Sequence, residues 1–416
     1  MTSLAGASAR VAPVSGDAPE LIVGPSRHLP WPLDAVARRT WDEASLFHRR
    51  YRHLLPPAAA RAVAEFVERA QRPELALFGS GAGAAPRVLV ASNDPLLRAS
   101  LFSALSPAPD GHEAKPGERA GSLARARVEP RMRLDADVVA LEIPSRAGRS
   151  FARDGWLVLP RWVALEVDLT ASERELWDAR KRETVRRIER SSLHVEVARG
   201  PVAAREFYEH LYAPTARARH GGLAIVVRFG HVEAAARVGY FVFVRDGGVR
   251  RAGLLVVPRP GRGAALDALL FGVAHGDYEA TRLSREALYL FALRWARHEM
   301  AATRFGLTVA APFASDGILR FKTRWGATAL ADPRQPSSVA LRVETGSPEL
   351  GHALAAHAPI LLRQRDHRAE LSVLAVRLDG APNAAVPHVR GVTLTPLSVQ
   401  SARELPRLLA EAARGA

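Results

Sequence analysis

Asp316-Gly-Ile-Leu-Arg-Phe-Lys-Thr-Arg-Trp-Gly-Ala327 is the stretch on which the reading of this chain turns. It sets a cation, Lys322, beside two aromatics, Phe321 and Trp325, and a glycine, Gly326, that permits a turn or a close backbone approach. Just upstream, residues 303–308 read as a strand, and a loop joins them to the motif. Lys322 stands out by composition. Of the 58 lysines and arginines only three are lysine (Lys115, Lys181 and Lys322), so 55 are arginine. A compact ammonium on a flexible stem presents charge differently from a planar guanidinium. A fixed cation stabilises negative charge that develops next to it. The bland reading of Lys322 is a surface lysine at a strand start. Phe321, Trp325 and Gly326 read as packing.

Working back from the motif, helical and strand patterns alternate. Ser172-x-x-Glu175 forms a capping box that opens a helix to about residue 192. A strand over 194–198 precedes a helix over 202–216 with Phe207, Leu211 and Thr215 along one face. Residues 238–245 and 249–258 form a hairpin around Asp246-Gly247-Gly248. A strand over 265–273 then leads through a polar loop into a helix over 284–300.

The first half is less regular. Residues 1–30 read as a disordered lead-in, and 31–72 as two amphipathic helical segments. A strand, the glycine run Gly79 to Ala84 and a second strand follow, then a helix to about residue 105 and a long polar loop over 106–121. The glycine run fits a loose dinucleotide fingerprint, but Pro86 and the strand-like Arg87-Val88-Leu89-Val90 stand where its helix should begin. The expected units are 31–150, an N-terminal α/β region; 151–333, which carries the motif; and 334–416, a small α/β appendage.

Composition narrows the chemistry. With no cysteine, a thiol nucleophile, thiolate metal sites and disulfides are excluded. No run of roughly 18 apolar residues is present, nor a basic start followed by an apolar core, so a soluble, cytoplasmic protein without transmembrane segments is expected. The arginine bias, with abundant alanine, glycine and proline, fits a GC-rich bacterial coding habit. Even so, the net charge of +15 favours anionic partners: phosphates, nucleotides, tRNA or membrane headgroups.

Four stretches in order resemble one family: the basic helix L-W-D-A-R-K-R-E-T-V-R-R-I-E-R, then F-Y-E-H-L-Y-A-P-T-A-R-A-R-H-G, the hairpin with G-x-L-L-V-V, and R-F-G-L-T followed by G-I-L-R-F-K-T-R-W-G. They look like the GNAT superfamily as used by FemAB/BioF2-like acetyltransferase domains. The resemblance implies a GNAT-like mixed α/β sheet flanked by helices, with residues 31–150 a degenerate GNAT half or a Rossmann-like piece. It implies an N-acyl or aminoacyl transferase, with no tightly bound cofactor and no metal. The donor would be an acyl-CoA, an acyl-carrier thioester or an aminoacyl-tRNA, and the acceptor an amine of a cell-envelope or polysaccharide precursor. One departure stands out: where the family has an acidic residue before the strand glycine, this chain has Phe305-Gly306.

By that resemblance Lys322 sits near the reacting carbonyl or phosphate, Tyr278 donates to the oxyanion and Asp277 accepts the amine's proton. Arg217, Arg219 and His220 line the acceptor pocket with Arg282 and Arg285, and His220 is a candidate base. Arg186 and Arg187 would bind donor phosphates. Alternatively, Arg182, Arg186 and Arg190 form a solvated helix face laced with Glu183 and Glu189. The competing function is a GNAT-fold binder of tRNA or another polyanion without chemistry.

Overall fold

The computed structural model describes residues 75–78, 86–92, 94–105, 136–220, 226–259, 264–277, 281–332, 335, 337–365, 368–379 and 388–415. The lead-in, the helical segments over 31–72, the glycine run and the loop over 106–121 lie outside them.

Strands β1 (Leu75–Phe78) and β2 (Val88–Ala91) pair antiparallel, and β2 leads into helix α1 (Pro95–Leu105). The element after the glycine run is therefore a strand, not the helix a dinucleotide loop needs. β3 (Val138–Pro144) runs parallel to β2, and the short α2 (Gly148–Arg153) precedes β4 (Leu157–Pro160). The central stretch comprises β5 (Val163–Asp168), α3 (Glu173–Leu176), α4 (Ala179–Glu189), β6 (His194–Ala198) and α5 (Gly200–Glu206). A π-helical segment (Phe207–Tyr212) continues into α6 (Ala213–His220), followed by α7 (Phe229–Ala236), β7 (Tyr240–Asp246), β8 (Val249–Pro258) and β9 (Ala265–Val273). Then come α8 (Arg282–His298), β10 (Arg304–Ala310), α9 (Gly317–Thr323) and β11 (Thr328–Ala331). The chain closes with β12 (Ser337–Val343), α10 (Pro348–His357), β13 (Ile360–Arg365), β14 (Arg368–Leu378), β15 (Thr393–Val399) and α11 (Leu405–Arg414).

These strands build three mixed sheets flanked by helices, in the orders β1-β2-β3-β12-β4, β11-β5-β10-β9-β8-β7-β6 and β13-β14-β15. The α/β class expected from the sequence is the one observed. The chain crosses between the first two sheets twice, after Pro160 and again between Ala331 and Ser337. Gln335 stitches the crossings: its Oε1 accepts from the Trp162 amide at 2.9 Å and its Nε2 donates to the Trp162 carbonyl at 2.6 Å. Arg161 adds ion pairs to Asp94 and Glu142 at 3.0 and 2.9 Å. A buried bend would otherwise strand polar groups without water, which is costly.

The central strands of the seven-stranded sheet are buried on both faces, whereas the edge strand β6 is largely exposed. Gly247 and Gly248 both take positive φ, 53° and 84°, which matches the twist of the β7–β8 hairpin. One face packs on α8 through Leu288, Leu290 and Leu293. The other receives Phe207 and Leu211, both buried as the helical period predicts, together with Thr215. There the helix backbone rests on the strand: a Cβ at Gly272 would lie 2.4 Å from the Leu211 carbonyl carbon.

One expected helix divides in two. The capping box is formed, with Glu175 Oε2 accepting from the Ser172 amide at 2.7 Å. It opens only the four-residue α3, because Trp177 turns extended (φ −118°, ψ 132°) and drives its ring into the core against Trp325. Asp178 then caps α4 through the Lys181 amide.

Candidate functional site

Parallel strands β9 and β10 pair only over Arg304–Gly306 and Ala265–Asp267. Beyond that point β10 follows β5, through Val309↔Ala164 and Ala310↔Val163, while β9 stays with β8. The sheet therefore parts, leaving two facing edges whose amides and carbonyls are not paired to each other. Each edge is irregular where it parts. β10 shifts register between Gly306 and Val309, with Thr308 at φ 63°, and β9 bulges at Leu269, since Leu255 faces Leu270 and Val256 faces Ala268. Such bulges re-aim groups next to functional openings.

The apex is clamped by charge. Arg259, just past β8, forks onto Asp267 of β9 and also pairs with Glu166 of β5, spanning β10 at Gly306. A Cβ at Gly306 would sit 2.1 Å from Asp267 Oδ1. Phe305 is fully buried, and the carboxylates come from the flanking strands across a position that must lack a side chain.

Lys322 lies behind the β10 wall. The motif forms a helix rather than a strand start: Asp316 accepts from the Leu319 amide at 2.7 Å as N-cap of α9, which turns Lys322 inward. The side chain is 5% exposed, and its Nζ donates to Thr308 Oγ1 and, at 3.2 Å, to the Val309 carbonyl. The ammonium thus grips the irregular segment of β10. Burial pushes the lysine down to about 7, the Arg219 charge pushes the same way, and Asp316 opposes both. Burial likewise raises Asp316 above the usual carboxylate range, against its backbone amides, Lys322 and Arg219. The expected permanent cation is instead a group that changes charge near neutral pH.

The structure brings several predicted residues to this end of the sheet. Arg219, exposed at the end of α6, acts electrostatically on both Lys322 and Asp316. Arg217 is exposed on the same helix. Asp277 and Arg282 are exposed between the end of β9 and the start of α8. Arg285 reaches α9, its guanidinium 6.0 Å from the centre of the Phe321 ring. Tyr278 and the side chain of His220 lie outside the described residues. Arg186 and Arg187 are not brought here. Helix α4 runs alongside α8, with Lys181 paired to Glu286 near the opening and Glu189 paired to Arg294 farther off. Both arginines are exposed toward the far end, where Arg186 pairs with Glu183 at 2.7 Å.

Three features were not read from the sequence. Lys181 is 4% exposed, pairs with Glu286 at 2.7 Å and lies 4.0 Å over the Trp325 ring; the rarity that singled out Lys322 applied to it equally. Thr308 carries no composition signal, because its role depends on a backbone irregularity. Ser315 Oγ lies 2.9 Å from His357 Nδ1, joining the loop before α9 to the end of α10 across a separation that no local pattern encodes. Burial lowers His357, favouring the neutral ring. The packing reading of the aromatics holds: Trp325 is fully buried, stacked on Tyr289 and edge-on to Trp177.

Among the described residues no group of three His, Asp or Glu side chains is placed to hold a metal ion, and no helix is long and apolar enough to cross a membrane. No family model matches the chain, and no curated protein does. Among solved structures, the chain is similar to the C-terminal domain of a protein named as a lysylphosphatidylglycerol synthetase from Agrobacterium fabrum, at 16% identity over 70% of this chain and 89% of that one, with a TM-score of 0.36. L-PGS from Bacillus licheniformis follows at 14% identity over 66% and 86%, with a TM-score of 0.34. A GCN5-related N-acetyltransferase from Kribbella flavida matches at 14% identity over 67% and 92%, with a TM-score of 0.27. Values this low transfer no activity, substrate or site residue.

Proposed function

We propose that this chain is an N-acyltransferase or aminoacyltransferase, working in the manner of the FemAB/BioF2-like domains its sequence resembles. The observation that carries the proposal is the parting of β9 and β10, with the Lys322–Thr308 pair behind one wall and Arg219 within electrostatic reach of Lys322. Two strand edges that face each other without pairing suit an extended, amide-bearing donor arm, which binds by adding main-chain hydrogen bonds. The bulge at Leu269 is where a backbone amide would donate to an oxyanion on the acyl carbonyl. The amine nitrogen attacks that carbon, the new C–N bond forms, and the bond to the carrier's sulfur or oxygen breaks. The amine gives up a proton and the departing thiol or hydroxyl takes one. Lys322 does not reach the opening, so its part is to position Thr308 and to hold or release a proton through it near neutral pH. Arg219 and Arg217 steer an anionic substrate. Arg186 and Arg187 would meet only the remote part of a long donor.

The test is release of free thiol from a panel of acyl-CoA thioesters with amine acceptors, across pH 6 to 9. Turnover that rises through about pH 7 in the parent and loses that rise in Lys322→Met is the expected result. Absence of turnover with every donor, including aminoacyl-tRNA, together with tRNA binding that weakens steeply with salt, selects the polyanion-binding alternative that the +15 charge favours.

A further inference from the structure

We propose a second binding site, for a small anionic amphiphile: a carboxylate or phosphate carrying a short alkyl chain. It lies apart from the opening, in a cavity of about 280 Å³ where α2, β4, β13 and the end of α11 meet. The floor is apolar, made by Leu157, Val158, Leu361 and Leu362, the first three of them buried. The rim is cationic. Arg149 and Arg153, four apart on α2, share one helix face, and Arg414 approaches from α11. Gly155 makes room for it, since a Cβ there would lie 3.3 Å from Arg414 Nη1.

Other arginines around it have partners: Arg161 has Asp94 and Glu142, Arg342 has Glu344, Arg407 has Glu411, and Arg363 donates to Ser372 and Thr395. Arg149, Arg153 and Arg414 are exposed and have no hydrogen bond or ion pair among the described residues. Three like charges around one hollow repel each other until an anion enters, and guanidinium forks suit carboxylate and phosphate oxygens. A headgroup alone would leave the leucine floor wet, whereas an attached alkyl chain covers it. The volume is near the lower end of the range for small-molecule sites, which limits the ligand to a head and a short chain.

The probes are alkyl phosphates and carboxylates from butyl to dodecyl, with inorganic phosphate as the bare head, titrated calorimetrically into the full chain. Affinity should rise with chain length until the cavity is filled. Arg149→Ala with Arg153→Ala, and separately Arg414→Ala, should each weaken binding about tenfold. Arg205→Ala, which removes an exposed charge on α5 far from the cavity, should change nothing. Ala152→Phe narrows the hollow without altering charge and should abolish chain-length dependence, with the melting temperature confirming that the variant is folded. Binding that inorganic phosphate matches at every chain length reduces the site to a free-anion site and overturns the proposal. So do equal losses in Arg205→Ala and the rim variants, or no binding at all.

Discussion

Replacing Lys322 by Met should stabilise the chain at pH 6 and lose most or all of that gain by pH 9.5. Lys322 ordinarily loses its proton near 10.5, and burial brings it to about 7 in the folded chain. Below the folded value both states carry the charge, and the fold bears the full cost of burying it. Between about 7 and 10.5 the unfolded chain binds the proton more tightly, so stability rises with pH. Above 10.5 both states are neutral and the cost is gone. At about 1.4 kcal/mol for each tenfold change in proton affinity, the whole span is worth about 5 kcal/mol. Methionine fills much the same volume without charge but leaves Thr308 Oγ1 and the Val309 carbonyl without the lysine's donors, a loss of roughly 1–3 kcal/mol. The variant should therefore be more stable than the parent at pH 6, by about 2–4 kcal/mol, and by pH 9.5, where about 1.4 kcal/mol of the parent's cost remains, that advantage should shrink by about 3 kcal/mol. Urea unfolding of both proteins at the two pH values reads the difference directly, because groups common to both cancel. A variant destabilised equally at pH 6 and pH 9.5 would refute the reasoning.

Gly306→Ala pushes a methyl into the Arg259–Asp267 ion pair and should destabilise by about 3 kcal/mol, measured as a lower midpoint in urea. Trp325→Ala empties a fully buried site against Tyr289 and Trp177 and should lose about 3–5 kcal/mol, read by thermal unfolding. Asp316→Asn keeps an N-cap acceptor for Leu319 while removing a carboxylate whose proton affinity burial has raised. The parent's stability falls as pH rises from the unfolded carboxylate value through the raised folded one. The Asn variant should lack that fall and be no less stable than the parent at pH 7 in thermal melts across pH 3 to 7.

The sequence by itself determined the local pieces. The Asp246-Gly247-Gly248 turn, the strand over Ala265–Val273 and the buried face of Phe207, Leu211 and Thr215 were legible because each rests on residues a few positions apart. The rarity of lysine likewise pointed to Lys322. What only the tertiary structure decided depends on partners far apart in the chain. Trp177 breaks its helix because Trp325, distant in sequence, receives its ring. Gly306 is obligatory because Arg259 and Asp267 meet over it. Lys322 is a titratable group rather than a fixed cation because the turn of α9 buries it against a strand irregularity at Thr308. Proton affinity is set by desolvation and by the charges nearby in space, and neither quantity is written in the order of residues.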